Sequence, residues 1–193
     1  MFYSICRAIL AFYCYCLNRY KVIGRENIPQ DGSLIVCCNH QSMCDIFALV
    51  VAFKRPIRFM AKESLFKIPF INLFLKGFKA FPVDRKHADI SAIKASLSVL
   101  SGGEVMGIFP EGTRVKPGER IEPKGGTGML IAKAKTTALP VHIIYKRRFF
   151  IFNNIRVVIG KPITYEDFGI TDMKSETYRR VSVEIMDSVY SLQ

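Results

Sequence analysis

Ser33-Leu34-Ile35-Val36-Cys37-Cys38-Asn39-His40-Gln41-Ser42-Met43-Cys44-Asp45, followed by Ile46–Phe53, is the stretch on which the fold reading turns. Ser33–Cys38 is a short apolar, β-branched run and predicts a strand. Ile46–Phe53 is apolar and long enough for a short helix. The residues between them form a strand-to-helix junction. A five-residue spacing turns a helix by about 500°, or about 140° net, so His40 and Asp45 cannot share a helical face. They meet only if His40 lies in the turn and Asp45 in the first helical turn. Asp45 could then accept from one imidazole nitrogen and leave the other to take a proton from a hydroxyl. A plainer reading stays open: Ser42-x-x-Asp45 loosely matches a capping box, and Asp45 could simply cap the helix.

Working outward, further β-rich runs fall at Ile57–Met60, Lys79–Val83, Glu104–Phe109, Leu139–Tyr145 and Ile155–Gly160. Helical patterns separate most of them. Residues 87–101 align Ile90, Ile93, Leu97 and Leu100, and Gly102–Gly103 ends the run. Residues 126–136 read as a short helix, and residues 174–192 align Tyr178, Val181, Ile185, Val189 and Leu192. Strands alternating with helices predict an α/β fold with a mixed, largely buried sheet flanked by helices. We expect one domain over residues 21–193, preceded by a membrane-associating helix over residues 1–20.

The N-terminal expectation rests on Met1–Leu17, which is apolar apart from Ser4 and Arg7. It is shorter than the roughly 20 residues that span a bilayer. It also lacks the basic start and small-residue cleavage site of a signal peptide. Ser4, Arg7, Ala11 and Asn18 form one narrow stripe, while Phe2, Tyr3, Ile9, Leu10, Phe12, Tyr13 and Tyr15 make the rest greasy. With Arg19, Lys21 and Arg25 following, the pattern suits a helix in the membrane interface, the alternative being a helix packed on the core. Leu65–Phe81 mixes Phe66, Phe70, Phe74 and Phe78 with Lys67, Lys76 and Lys79. That mixture suits an anionic lipid surface, or nucleic acid by stacking.

The 193-residue chain carries 28 Lys+Arg against 16 Asp+Glu, a net charge of +12, and is 50% hydrophobic. This excludes a disordered chain. Residues 54–86 and 114–148 each carry nine Lys/Arg against two acids. Two such blocks call for an anionic partner, such as a phospholipid surface or a phosphorylated substrate. A nucleic-acid partner would explain the charge but not the greasy N-terminus, and no recognised nucleic-acid motif is present. The six cysteines (Cys6, Cys14, Cys16, Cys37, Cys38 and Cys44) cluster in the first quarter without paired metal spacing. We read reduced thiols and a protein on the cytoplasmic side, with no metal site.

A second element, Phe109-Pro110-Glu111-Gly112-Thr113-Arg114, follows the Glu104–Phe109 run. A glycine after a strand lets backbone N–H groups converge on an anion. Thr113 adds a hydroxyl, and Arg114 can grip a phosphate with its planar fork. Glu111 could pair with Arg114 or accept from a hydroxyl. Between the two elements, Arg85 in Phe81-Pro82-Val83-Asp84-Arg85 and Lys62 after Ile57–Met60 are further candidate phosphate ligands.

Taken in order, NHQSMCD, AKESLFKIP, GFKAFPVDR, FPEGTR, PKGG and LPV strongly resemble the blocks of the glycerolipid acyltransferases over roughly residues 20–160. The subgroup most resembled is the 1-acyl-glycerol-3-phosphate acyltransferases, which make phosphatidic acid. The resemblance implies an α/β sandwich with its site at a membrane-facing edge. It makes His40 the general base and Asp45 its orienter. Lys62, Arg85, Glu111, Gly112, Thr113 and Arg114 become acceptor and phosphate ligands, and Lys124, Gly125 and Pro140 lie on the donor side. It further implies an acyl thioester of coenzyme A or acyl carrier protein as donor, lysophosphatidate as acceptor, no cofactor, and a peripheral or monotopic seat on the membrane. The rival readings are another lysolipid acceptor and a non-enzymatic lipid-binding protein. Asn72, Pro82 and Thr137 depart from the family pattern.

Overall fold

The computed structural model describes residues 2–83, 90–116, 118–146 and 152–193. The chain runs through α1 (Phe2–Cys16), β1 (Arg19–Ile23), β2 (Leu34–Cys38), α2 (Cys44–Ala52), β3 (Ile57–Lys62), α3 (Glu63–Phe66) and α4 (Pro69–Gly77). It continues through β4 (Phe81–Val83), α5 (Ile90–Ser101), β5 (Val105–Ile108), α6 (Gly126–Ala134), β6 (Thr137–Tyr145), β7 (Asn154–Ile159) and α7 (Ser175–Ser191). One sheet runs in the order β1-β7-β6-β2-β5-β3-β4. Every pairing is parallel except β6 with β7, so the sheet is mixed, as the sequence predicts.

β2 lies between β5 and β6, and all five of its residues are buried. A central strand covered on both faces is expected to read as a continuous apolar run. Its alternation divides the interior in two. Leu34, Val36 and Cys38 face a core shared with α1 and α2. Ile35 and Cys37 face a second core built with α5, α6 and α7, including Leu100, Ile131, Val181 and Ile185.

The six predicted strands all form, and the structure adds β1. Arg19-Tyr20-Lys21-Val22-Ile23 alternates cations with apolar residues and pairs in parallel with β7 at the sheet edge. Charged residues are usual on such an edge, and here they hide the strand in the sequence. Tyr20 is turned inward, and its hydroxyl donates to the Ala48 carbonyl at 2.6 Å.

α1 uses both of its faces. Cys6, Leu10 and Cys14 are buried in the first core. Arg7 donates to the Val50 and Val51 carbonyls at 3.3 Å, satisfying the C-terminal end of α2. Asn18 is buried, donates to the Tyr13 carbonyl and accepts from the Asn153 N–H. Much of the polar stripe therefore faces protein. Ile5, Ile9, Phe12 and Tyr15 remain more than half exposed. α4 begins at Pro69, whose fixed φ suits a helix start, and exposes Leu73 while burying Phe78 after its end. Asn72 Oδ1 is buried with no hydrogen-bond partner among the described residues. No described helix is long and apolar enough to cross a membrane.

Candidate active site

β2 ends at Cys38, and Asn39 fixes the turn that follows. This buried side chain donates to the Ile143 carbonyl at 2.9 Å and accepts from the Ile143 N–H at 2.8 Å. It thus pins the turn to β6 as a further backbone pair would. His40 comes next and is held on several sides. Its ring stacks on Phe109, with centroids 4.0 Å apart and planes inclined by 17°. Its N–H donates to Glu111 Oε2 at 2.7 Å, and its carbonyl accepts from the Val115 N–H at 2.7 Å. Nδ1 lies 2.9 Å from Asp45 Oδ2.

Asp45 lies in the first turn of α2 and is completely buried. Its Oδ2 also accepts the Gln41 and Ser42 N–H groups at 2.7 and 2.8 Å. Its Oδ1 accepts the Tyr145 hydroxyl at 2.7 Å. One carboxylate thus closes the turn before α2 and also contacts the imidazole. An ionised carboxylate can only accept, so Nδ1 carries the proton and Nε2 is the basic nitrogen.

Glu111 differs from expectation. It is only 2% exposed, and its two oxygens take the His40 N–H and the Tyr190 hydroxyl from α7. Both oxygens are thus engaged within the protein, and of the two readings left open the pair with Arg114 does not form among the described residues. Burial pushes its carboxyl above the usual range, while the Tyr190 and His40 hydrogen bonds pull it back. Arg120 sits 4.4 Å above the Tyr190 ring. Burial and the Glu111 bond hold the Tyr190 phenol well above its ordinary range, so it remains a donor.

Gly112 adopts φ +69° in the turn closed by its own N–H on the Phe109 carbonyl. A Cβ there would sit 3.3 Å from the Lys124 stem. Both the backbone angle and the close approach call for glycine. Thr113 and Arg114 follow on the exposed loop before Val115 returns to His40. Lys62 is exposed at the end of β3. Arg85 lies outside the described residues.

His40, Gly112 and Lys124 line a cleft of about 370 Å³ whose remaining wall is largely apolar. Phe59, Met60, Ala92, Ile93, Met129 and Leu130 contribute from β3, α5 and α6. Gly107 leaves room for the Phe59 ring, since a Cβ there would lie 2.2 Å from it. Gly125 stands just before α6, against the α7 backbone at Arg179. Pro140 is buried in β6 opposite Cys37 and does not line the cleft. Asn39, Tyr145 and Tyr190 were not singled out from the sequence. Each acts across 79 to 104 residues, and no local spacing signals such a contact.

A histidine hydrogen-bonded to a buried carboxylate thus stands on a mixed α/β sheet and lines a largely apolar cleft. The acyltransferase family model matches residues 19–144, and the chain belongs to that family and is an acyltransferase. It is 32% identical over 173 residues to the 1-acyl-sn-glycerol-3-phosphate acyltransferase of Bacillus subtilis, covering 81% of this chain and 85% of that protein. It is 36% identical over 140 residues to the enzyme of the same name from Borreliella burgdorferi, covering 69% of this chain and 54% of that one. The crystal structure of the 1-acyl-sn-glycerophosphate (LPA) acyltransferase PlsC from Thermotoga maritima superposes with a TM-score of 0.76. That match is at 25% identity and covers 98% of this chain and 80% of that one.

Proposed function

We propose that this chain transfers an acyl group from an acyl thioester to the sn-2 hydroxyl of 1-acyl-glycerol-3-phosphate, giving phosphatidic acid. The thioester is carried by coenzyme A or acyl carrier protein. The observation that carries this reading is the 2.9 Å contact between His40 Nδ1 and the buried Asp45 carboxylate, in a residue that also lines the apolar cleft. The names of the relatives supply the acceptor.

His40 Nε2 removes the proton of the acceptor hydroxyl as its oxygen attacks the thioester carbonyl. The tetrahedral intermediate collapses, the thiolate leaves, and His40 returns its proton. The thioester is already activated, so the chemistry asks for no enzyme nucleophile, metal or cofactor. Lys62, Arg85, Thr113 and Arg114 hold the acceptor phosphate and thereby position the hydroxyl, while Gly112, its N–H already given to the Phe109 carbonyl, shapes the turn that presents them. Glu111 serves them indirectly, by fixing the loop and the His40 backbone. The cleft receives an acyl chain. Lys124 is the donor-side cation on its wall, while Gly125 and Pro140 act through the helix and strand they shape.

The exposed apolar residues of α1, with Ile68 and Leu73 at α4, seat the enzyme on a phospholipid surface at its cytoplasmic face. The test is a product assay with purified protein, several lysolipids and both donor carriers, run beside His40→Ala. We expect phosphatidic acid from lysophosphatidate, and a loss of about 10²-fold or more in the variant. A folded His40→Ala enzyme with near-normal turnover overturns the general-base reading. Preferential turnover of another lysolipid overturns the acceptor.

A further inference from the structure

We infer that Tyr145 is a positioning residue of the reaction, holding the Asp45 carboxylate correctly turned so that Asp45 can orient His40. The inference rests on the general-base reading above and adds a residue from the far end of β6 to it. Asp45 Oδ2 is fully engaged by three N–H donors from the turn. Its Oδ1 is held by the Tyr145 hydroxyl, from a residue 100 positions away in the chain. A completely buried carboxylate oxygen without a donor is costly. It can be relieved by taking up a proton or by rotating, and either change spoils the acceptor that Nδ1 needs.

Among the described residues, His40 from the turn after β2, Cys38 from β2, Glu111 from the loop after β5 and Tyr145 from β6 stand against Asp45, with Cys44 beside it in α2. The Cys38 thiol donates to Asn39 Oδ1 and the Cys44 sulfur pairs with the Tyr13 hydroxyl, and it is the Tyr145 hydroxyl that donates to Oδ1. Burial and the charge of Asp45 hold the phenol far above its ordinary range, so it remains an O–H donor throughout the working pH range.

Tyr145→Phe keeps the ring and removes only the hydroxyl. Removing one hydrogen bond from the anion raises the proton affinity of the His40–Asp45 pair, wherever that proton rests. We therefore expect kcat to fall about ten-fold or more, with little change in the KM of either substrate. The acid limb of the pH–kcat/KM profile should move to higher pH by about half a unit to one unit. Tyr20→Phe is the comparator, since it deletes another buried hydroxyl against α2, one that donates to the Ala48 carbonyl and not to the Asp45 carboxylate. It should lower thermal stability while leaving the profile in place.

If Tyr145→Phe folds and its profile and kcat match those of Tyr20→Phe, the positioning role is wrong although the general base stands. If His40→Ala is active, the general-base reading falls and this inference falls with it. Should Tyr145→Phe fail to fold, titration of the His40 ring by NMR in Tyr145→Met, which likewise offers Oδ1 no donor, decides. An unmoved imidazole titration there overturns the proposal.

Discussion

Replacing Glu111 separates a brace from a ligand. Glu111→Ala removes the acceptor of the His40 N–H and of the Tyr190 hydroxyl in a site that is 2% exposed. A buried donor left unpaired costs about 1–3 kcal/mol, and the truncated side chain leaves a void of a few heavy atoms besides. Against this stands the relief of a buried carboxylate whose charged form is already disfavoured. We expect a net loss of about 2–4 kcal/mol in unfolding free energy, with kcat/KM falling as the His40 backbone loosens. Glu111→Gln keeps an acceptor for His40 and a polar group for Tyr190, and should lose about 1 kcal/mol or less.

The pH dependence has a definite sign. The folded carboxyl titrates above its unfolded value, so its contribution to stability is greatest below the unfolded value. That contribution is lost as pH rises through the raised folded one. The stability of wild type relative to Glu111→Gln should therefore improve on acidification. Urea unfolding at several pH values, paired with steady-state kinetics, reads all of this. A Glu111→Ala enzyme of unchanged stability whose only defect is a raised acceptor KM would refute the reasoning, because that is the signature of a substrate ligand.

Two further outcomes follow from the same geometry. Gly112→Ala meets a positive φ and the Lys124 stem at 3.3 Å; it should cost about 1–2 kcal/mol and reduce kcat/KM, read by thermal unfolding and turnover. Ile9→Glu with Phe12→Glu, both on the exposed face of α1, should weaken sedimentation with anionic vesicles while leaving the unfolding midpoint nearly unchanged; undiminished vesicle binding would remove α1 from the membrane contact.

The strand–turn–helix around His40 was legible because its information is local. A β-branched run, a turn and an apolar helix bring His40 and Asp45 together within six residues, although distant parts of the chain then hold them. β1 was not legible, because Arg19 and Lys21 alternate on an exposed edge and read as headgroup cations beside a greasy helix. The inward face of α1 was half legible: the stripe of Arg7, Ala11 and Asn18 was visible, but its partners on α2 and near Asn153 were not. The sequence leaves Glu111 open between a pair with Arg114 and a hydroxyl contact, and only the resemblance makes it an acceptor ligand. Its true partners are a main-chain N–H and a tyrosine near the end of the chain. A single carboxylate in a loop carries no sign of which way it faces; only the packing of α7 decides it.

Apart from His40 itself and Phe109, on which it stacks, the wall of the cleft and the histidine clamp are built from different parts. Ala92, Ile93, Met129 and Leu130 come from α5 and α6, whereas the clamp is tied to β2, α2 and β6. Selectivity for chain length and competence for proton removal are therefore separable traits. Evolution or an engineer can resize the compartment from the helical side while the imidazole keeps every tether it has.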